Sequence, residues 1–240
     1  RRPVFRKPEV IKTMLREVYR SAATMFSELL RQDVHAHNLA NVDTTGFKRC
    51  IARAVTGGNP QNQTVVSQSV DLRPGEVKQT GSTLDVALRS PGYFVVDTGA
   101  GRLYTRNGHF TLDSQGYLVT TGGYRVLGTQ GPLRLTGSNT LIAEDGTVYS
   151  DKQRVDRLLV VDFPSQSALR HQTGSAMTGS QGAVPVAAAS VMQGALEGSN
   201  VDPVVEVVAM TDGYRLYEAN ARAINAADQT LGKLIEATTA

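Results

Sequence analysis

Two histidines one residue apart, His35 and His37, are the first side chains in the sequence with metal-ligating chemistry. On a helix their side chains point about 200° apart, so they cannot share one ion and suit a solvated or intersubunit face instead. His109 and Asp113, with any of many serines, supply the residue types of a hydrolytic triad. No nucleophile elbow and no HExxH accompanies them, and His109 falls in a strand after a tight turn, so catalysis is not expected. Gly99-Ala100-Gly101 and Gly122-Gly123 read as turns between strands, because neither opens a helix after a strand as a phosphate loop does. Asn62-Gln63-Thr64 fits a glycosylation sequon, a pattern common by chance. A single cysteine, Cys50, excludes an internal disulfide and a CxxC site.

With little in the way of reactive chemistry, the longest periodic stretches carry the information. From Pro203 to about Ala237, apolar residues recur at Val207, Met210, Tyr214, Tyr217, Ala221, Ile224, Leu231 and Ile235. Steps of three and four make this a heptad seam on a helix roughly 50 Å long. Asp202 and Pro203 mark its start. A second stripe, Leu216, Ala219, Ala223, Ala226 and Leu234, is mostly small, and one partner helix would not cover both. At the other end, Met14, Leu15, Val18, Ala22, Met25 and Leu29 repeat the pattern through Gln32 to Ala36 and Leu39. Tyr19, Phe26 and Leu30 widen that apolar face. Asn41 can adopt a left-handed cap and Asp43 to Gly46 are turn formers, so the helix is expected to end near Ala40 or Asn41.

Between the helices the period changes to two. Lys48 to Ser69 is polar and reads as a linker with one short strand at most. Val86 to Leu88, Tyr93 to Val96, Leu103 to Arg106, His109 to Leu112, Tyr117 to Thr120 and Tyr124 to Leu127 then read as strands. Asn107-Gly108 suits a type I′ hairpin between the third and fourth of these. Leu133 to Leu135, Thr140 to Ala143 and Val155 to Phe163 continue the pattern. Residues 173–190 are rich in Gly, Ser, Ala and Thr and are expected to form an extended return path more than a core element. Val191 to Leu196 reads as a last strand. The expected fold class is α+β: a mainly antiparallel β central domain flanked by long N- and C-terminal coiled-coil-forming α-helices. The expected division is 1–13, 14–48, 49–200 and 201–240.

The chain has 240 residues and a formal charge of +3, but residues 1–13 hold five Lys or Arg against one Glu. Without them 20 basic and 21 acidic residues remain, so no basic surface for nucleic acid is implied. That leader reads as an exposed arm for an acidic partner, an extension ahead of a natural start at Met14, or non-native sequence. No apolar stretch long enough for a secretory signal follows it, and no run near 18 apolar residues spans a bilayer. No cofactor, metal or small-molecule substrate is expected.

Five motifs in order resemble the bacterial flagellar axial proteins of the rod and hook. They are Asn38-Leu39-Ala40-Asn41-Val42-Asp43-Thr44-Thr45-Gly46-Phe47-Lys48, Leu84 to Leu88 with Gly92 to Val96, and Tyr104 to Gly108 with Gly116 to Thr120. Gln193 to Val201 and Tyr217-Glu218-Ala219-Asn220 complete the set. The short segment between Lys48 and Pro74-Gly75, Val191-Met192 and Glu197 to Asn200 look like the proximal-rod type. Tyr217 to Asn220 and Asp228 to Leu231 look like the distal rod. His35, His37 and the leader depart from the family pattern.

The resemblance implies a non-enzymatic subunit that polymerises helically with itself and other rod or hook subunits, after passage through the flagellar type III export apparatus. It implies a place in the basal-body rod, in the periplasm and cell-wall space, with no cleaved signal peptide. Contacts between subunits would involve Leu15, Val18, Ala22, Met25 and Leu29 of the first helix, and Asn38, Asn41, Gly46 and Phe47 of the turn. Val207, Met210, Tyr214, Tyr217, Asn220, Ala221, Ile224 and Leu231 would serve from the last helix. Other readings are a periplasmic binding or adhesion module with dimerising helices, and a hydrolase.

Overall fold

The computed structural model describes residues 7–56, 64–137, 139–164, 169–179 and 182–239. Arg1, Arg2 and Arg6 of the basic leader, and Asn62 and Gln63 of the sequon, lie outside them. The first helix, α1, spans Lys7–Ala40. It is followed by β1 (Cys50–Thr56) and β2 (Thr64–Val70), a two-stranded ribbon where a linker with one short strand was expected.

The β body then follows in sequence. Its first strands are β3 (Val77–Gln79), β4 (Val86–Leu88), β5 (Tyr93–Asp97), β6 (Arg102–Thr105), β7 (Phe110–Leu112), β8 (Leu118–Thr120) and β9 (Arg125–Val126). Next are β10 (Thr140–Ile142), β11 (Thr147–Ser150), β12 (Gln153–Arg157), β13 (Val160–Asp162), β14 (Leu169–Thr173), β15 (Ala176–Gly179) and β16 (Val184–Pro185). β17 (Val191–Gln193) and β18 (Ala195–Glu197) lead to the second helix, α2 (Pro203–Thr239). All the recorded pairings are antiparallel.

The main sheet runs in the order β14-β15-β6-β5-β9-β8-β7, with β13 also on β5. Its central strand β5 is apolar on both faces for a clear reason. Phe94 and Val96 point into one core cluster with Val86, Leu103, Phe110 and Leu118, whereas Tyr93 and Val95 point into a second with Val161, Phe163 and Met177. Burying each large side chain contributes roughly 1.5 to 3 kcal/mol, so a strand sandwiched this way needs no polar face.

Two local expectations fail. Asn107-Gly108 is not a hairpin turn: β6 pairs with β5 and β15, while β7 pairs with β8 at the far edge of the sheet. Gly108 is required for close approach, since a Cβ there would lie 1.6 Å from the carbonyl oxygen of Val86. Nor is the stretch after residue 173 only a loose return path. Met177 of β15 is fully buried, and β15 pairs with β6.

The expectation of coiled-coil-forming helices is overturned. Two helices are described, one before and one after the antiparallel β body, and no coiled coil is formed among the described residues. The seam residues Leu15, Leu29, Val207 and Tyr214 remain 45, 49, 48 and 59% exposed. Two hydrogen bonds link the helices: Gln32 Nε2 donates to the carbonyl oxygen of Met210 at 2.7 Å, and His35 Nδ1 meets Glu206 Oε2 at 2.5 Å. A knobs-into-holes seam needs apolar knobs on both sides. At Gln32, His35 and the fully buried Glu206 hydrogen-bonding groups stand where such knobs would be needed.

The chain divides into two compact units. One contains α1 up to His37, the stretch Ala52–Gln68 and α2 from Pro203. The other contains Asn38–Ile51 and Ser69–Asp202. The turn after α1 therefore belongs to the β body.

Candidate functional site

Within the β body, three sequence motifs far apart in the chain meet around Glu197. This residue ends β18 and is only 1% exposed. Its carboxylate accepts from Lys48 Nζ, from the Gly75 N–H at 3.0 Å and from Arg106 Nη1 at 3.2 Å, and its backbone carbonyl accepts from the Gly46 N–H at 2.7 Å. Lys48 Nζ also donates to the carbonyl oxygen of Arg73 at 2.8 Å, and the Arg106 guanidinium lies 5.5 Å from the centre of the Tyr93 ring. Burial pulls the Lys48 ammonium below the usual lysine range, against the opposing pull of Glu197. Glu197 thus gives both buried cations a charged partner.

The turn after α1 is bound on both flanks. Asn38 is fully buried, donating Nδ2 to the Cys50 carbonyl at 2.9 Å and accepting from the Cys50 N–H at 2.8 Å. Thr45 Oγ1 donates to Asn107 Oδ1 at 2.8 Å. Phe47 stacks on His171 with ring centres 4.9 Å apart. Asn200 accepts from the Arg49 N–H at 2.7 Å and donates to the carbonyl oxygens of Asp71 and Arg73. Arg73, in turn, holds the Asp71 carboxyl below the usual carboxylate range through its guanidinium hydrogen bonds.

His109, Asp113 and His35 are engaged in structural hydrogen bonds. His109 Nδ1 pairs with Asp85 Oδ1 at 2.7 Å and not with Asp113, whose carboxylate accepts the N–H groups of Gln115 and Tyr117 in its own turn. Among the described residues no hydroxyl is recorded in hydrogen-bond contact with His109 Nε2. His35 is held by Glu206 as described above, His37 is exposed, and no three potential ligands gather around a common point among the described residues. No described helix is long and apolar enough to cross a membrane.

Three family models match the chain: "Flagella basal body rod protein" over residues 21–48, "Flagellar hook protein FlgE/F/G D1 domain" over 87–150, and "Flagellar basal body rod FlgEFG protein C-terminal" over 192–237. The flagellar basal-body rod protein FlgF of Salmonella typhimurium is 32% identical over 239 residues, covering 90% of this chain and 95% of that protein. FlgF of Escherichia coli K12 is 33% identical over the same shares. The chain belongs to the flagellar basal-body rod family. FlgG of Buchnera aphidicola from Schizaphis graminum is 30% identical over 92% of this chain and 99% of its own. The protein is accordingly a structural component of the flagellar basal body and not an enzyme.

The rod-family signatures fall on the contacts around Glu197 and the turn after α1, which together form a clasp: Asn38 to Lys48 supply its first side, Arg106 and Asn107 its second, and Glu197 and Asn200 its third. Asn38, Gly46 and Phe47 are buried, and Asn41 is half-buried, accepting from Thr44 Oγ1. On α1, Leu15, Ala22 and Leu29 are exposed, and Val18 and Met25 half-buried. On α2, Val207 and Tyr214 are exposed, and Met210, Tyr217, Asn220, Ala221, Ile224 and Leu231 half-buried. Asn220 donates within its own helix to the Leu216 carbonyl at 2.8 Å. The roles of Glu197, Arg106 and His171 were missed from sequence. The one available signal was a lone carboxylate, Glu197, in the small and apolar run Gly194-Ala195-Leu196.

Proposed function

We propose that this protein is a proximal-rod subunit that polymerises helically, with itself and with other axial subunits, into the hollow shaft beneath the hook. The observation that carries this reading is the apolar surface on the two helices. Tyr19 and Phe26 of α1 are 75 and 62% exposed, and Val204, Val208 and Tyr214 of α2 are 69, 54 and 59% exposed. Exposed apolar groups this large and this close in sequence mark surfaces built for association. Covering them at roughly 1.5 to 3 kcal/mol per side chain supplies energy comparable to the stability of a domain.

The proximal level is supported by the short segment between Lys48 and Pro74-Gly75, by Val191-Met192 and by Glu197 to Asn200. Tyr217 to Asn220 and Asp228 to Leu231 favour the distal rod, which is the second reading. Passage through the flagellar type III export apparatus and a position in the periplasmic space belong to the same proposal. The contact residues proposed are those of the two helices named above, with the turn of Asn38, Asn41, Gly46 and Phe47 shaping the β body from within.

Imaging basal bodies from a deletion strain tests the level directly. A rod missing from its membrane-proximal end is expected. A rod that stops short only below the hook assigns the distal level, and an intact rod removes the proposal.

A further inference from the structure

One carboxylate serves two buried cations, and it arrives late in the chain. Lys48 and Arg106 precede Glu197 by 149 and 91 residues, and their side chains are 0 and 8% exposed. Their other contacts are neutral: Lys48 Nζ reaches the Arg73 carbonyl, and Arg106 Nη1 reaches the Leu88 carbonyl at 3.5 Å. Arg106 Nε is buried with no hydrogen-bond partner, so this side chain is already short of acceptors. Asp71, a second carboxylate that acts on Lys48, is engaged by three hydrogen bonds from the Arg73 guanidinium.

The segment carrying Glu197 also supplies the last strands. β17 pairs with β4 and β18 with β3, strands made more than 90 residues earlier. Gly194 joins the two pairings, donating its N–H to the Asp85 carbonyl and accepting at its own carbonyl from Thr80 and Gly81. Gln193 adds donors to the Thr83 and Thr140 carbonyls and an acceptor for the Ile142 N–H.

We infer that Glu197 is a folding latch: the β body cannot close over Lys48 and Arg106 until residues 191–200 are in place, and their arrival is the step that commits the unit to fold. Closing the interior over the two cations without their carboxylate leaves uncompensated buried charge, a penalty that the arrival of Glu197 removes. A chain emerging N-terminus first therefore completes the packing around Lys48 and Arg106 only once Glu197 follows. This is independent of the assignment to a rod level.

Stopped-flow refolding and unfolding of the full chain in urea tests the latch. Glu197→Gln is expected to slow refolding about tenfold or more while changing the unfolding rate much less, as for an interaction already made in the transition state. Lys48→Met combined with Glu197→Gln is expected to recover part of the lost rate, since one of the two cations that awaited the carboxylate is gone. Lys48→Met alone, which leaves Glu197 to Arg106, is expected to refold at the wild-type rate or faster, and this variant keeps the test usable should Glu197→Gln not fold. Unaltered refolding with accelerated unfolding in Glu197→Gln overturns the latch. So does a double variant no faster than Glu197→Gln, or a Lys48→Met chain that refolds slowly.

Discussion

Gly46 lies against Asn107 so closely that a Cβ on the glycine would sit 2.2 Å from the Asn107 backbone nitrogen. Its φ of +67° is a second demand for glycine at the same position. Gly46→Ala must both strain its own backbone and displace the main chain of Arg106 and Asn107. It is expected to lower the unfolding free energy by about 3 kcal/mol, the sum of a left-handed penalty and an overpacking cost. Urea denaturation reads this directly, and a loss below about 1 kcal/mol means that the clasp yields easily.

Asn38 is tied to Cys50 through both halves of its amide. Replacing it with Ala removes the partners of one buried N–H and one buried carbonyl, an expected loss of about 2 to 4 kcal/mol. Asn38→Asp keeps the acceptor for the Cys50 N–H and loses the donor to its carbonyl. Near neutral pH it also buries an unpaired carboxylate against that carbonyl, so its thermal midpoint is predicted to fall below that of Asn38→Ala, and an Asn38→Asp chain more stable than Asn38→Ala contradicts that ranking.

Burial raises the Tyr93 phenol to about 12, with Arg106 opposing and Asp162 and Glu197 adding to the shift. A folded-state value above the unfolded one means that the folded chain holds more protons between about 10 and 12. The Tyr93 contribution is therefore complete below pH 10 and declines as pH rises through that window. Lys48, whose folded value is lowered, acts with the opposite sign as pH rises toward 10.5, so a stability curve alone mixes the two. Absorbance at about 295 nm, which follows phenolate only, is expected to lose its last and highest step in Tyr93→Phe.

Tyr214→Asp places a charge on a helix position that is 59% exposed. The free subunit is expected to keep its stability within about 0.5 kcal/mol. Concentration-dependent association, followed by light scattering, is expected to drop sharply. A variant that associates like wild type removes Tyr214 from the proposed contact surface.

Limited proteolysis of the free subunit is expected to release a fragment beginning close to Asn38 and ending close to Asp202, the limits of the second compact unit. Mass spectrometry of the trimmed product decides it. A product starting near residue 50 shows that the turn leaves the β body on its own.

The repeating apolar steps of the two terminal segments and the period-two runs between them made the element types readable, because each pattern reflects burial on one side of a regular backbone. What the helices face was not readable. The heptad steps at Met210 and Tyr217 look like a coiled-coil seam, yet Gln32 bonds the Met210 carbonyl and His35 meets Glu206, and local periodicity says nothing about a partner 178 or 171 residues away. Asn107-Gly108 failed for a similar reason. The dipeptide has two uses, a left-handed turn or a close backbone approach, and only the position of Val86 shows which one applies. The motifs around the clasp were visible as strings, but the meeting of Lys48, Arg106 and Glu197 is a property of the folded chain.

The only cysteine gives this protein an internal stopwatch. Cys50 is 6% exposed, and its backbone is held by Asn38 on both sides. Its sulfur meets an alkylating reagent only when that corner parts, so the labelling rate under native conditions counts partings per second without any foreign probe. A reagent concentration series separates the frequency of parting from its equilibrium, turning one sulfhydryl into a gauge of how long an isolated subunit stays shut.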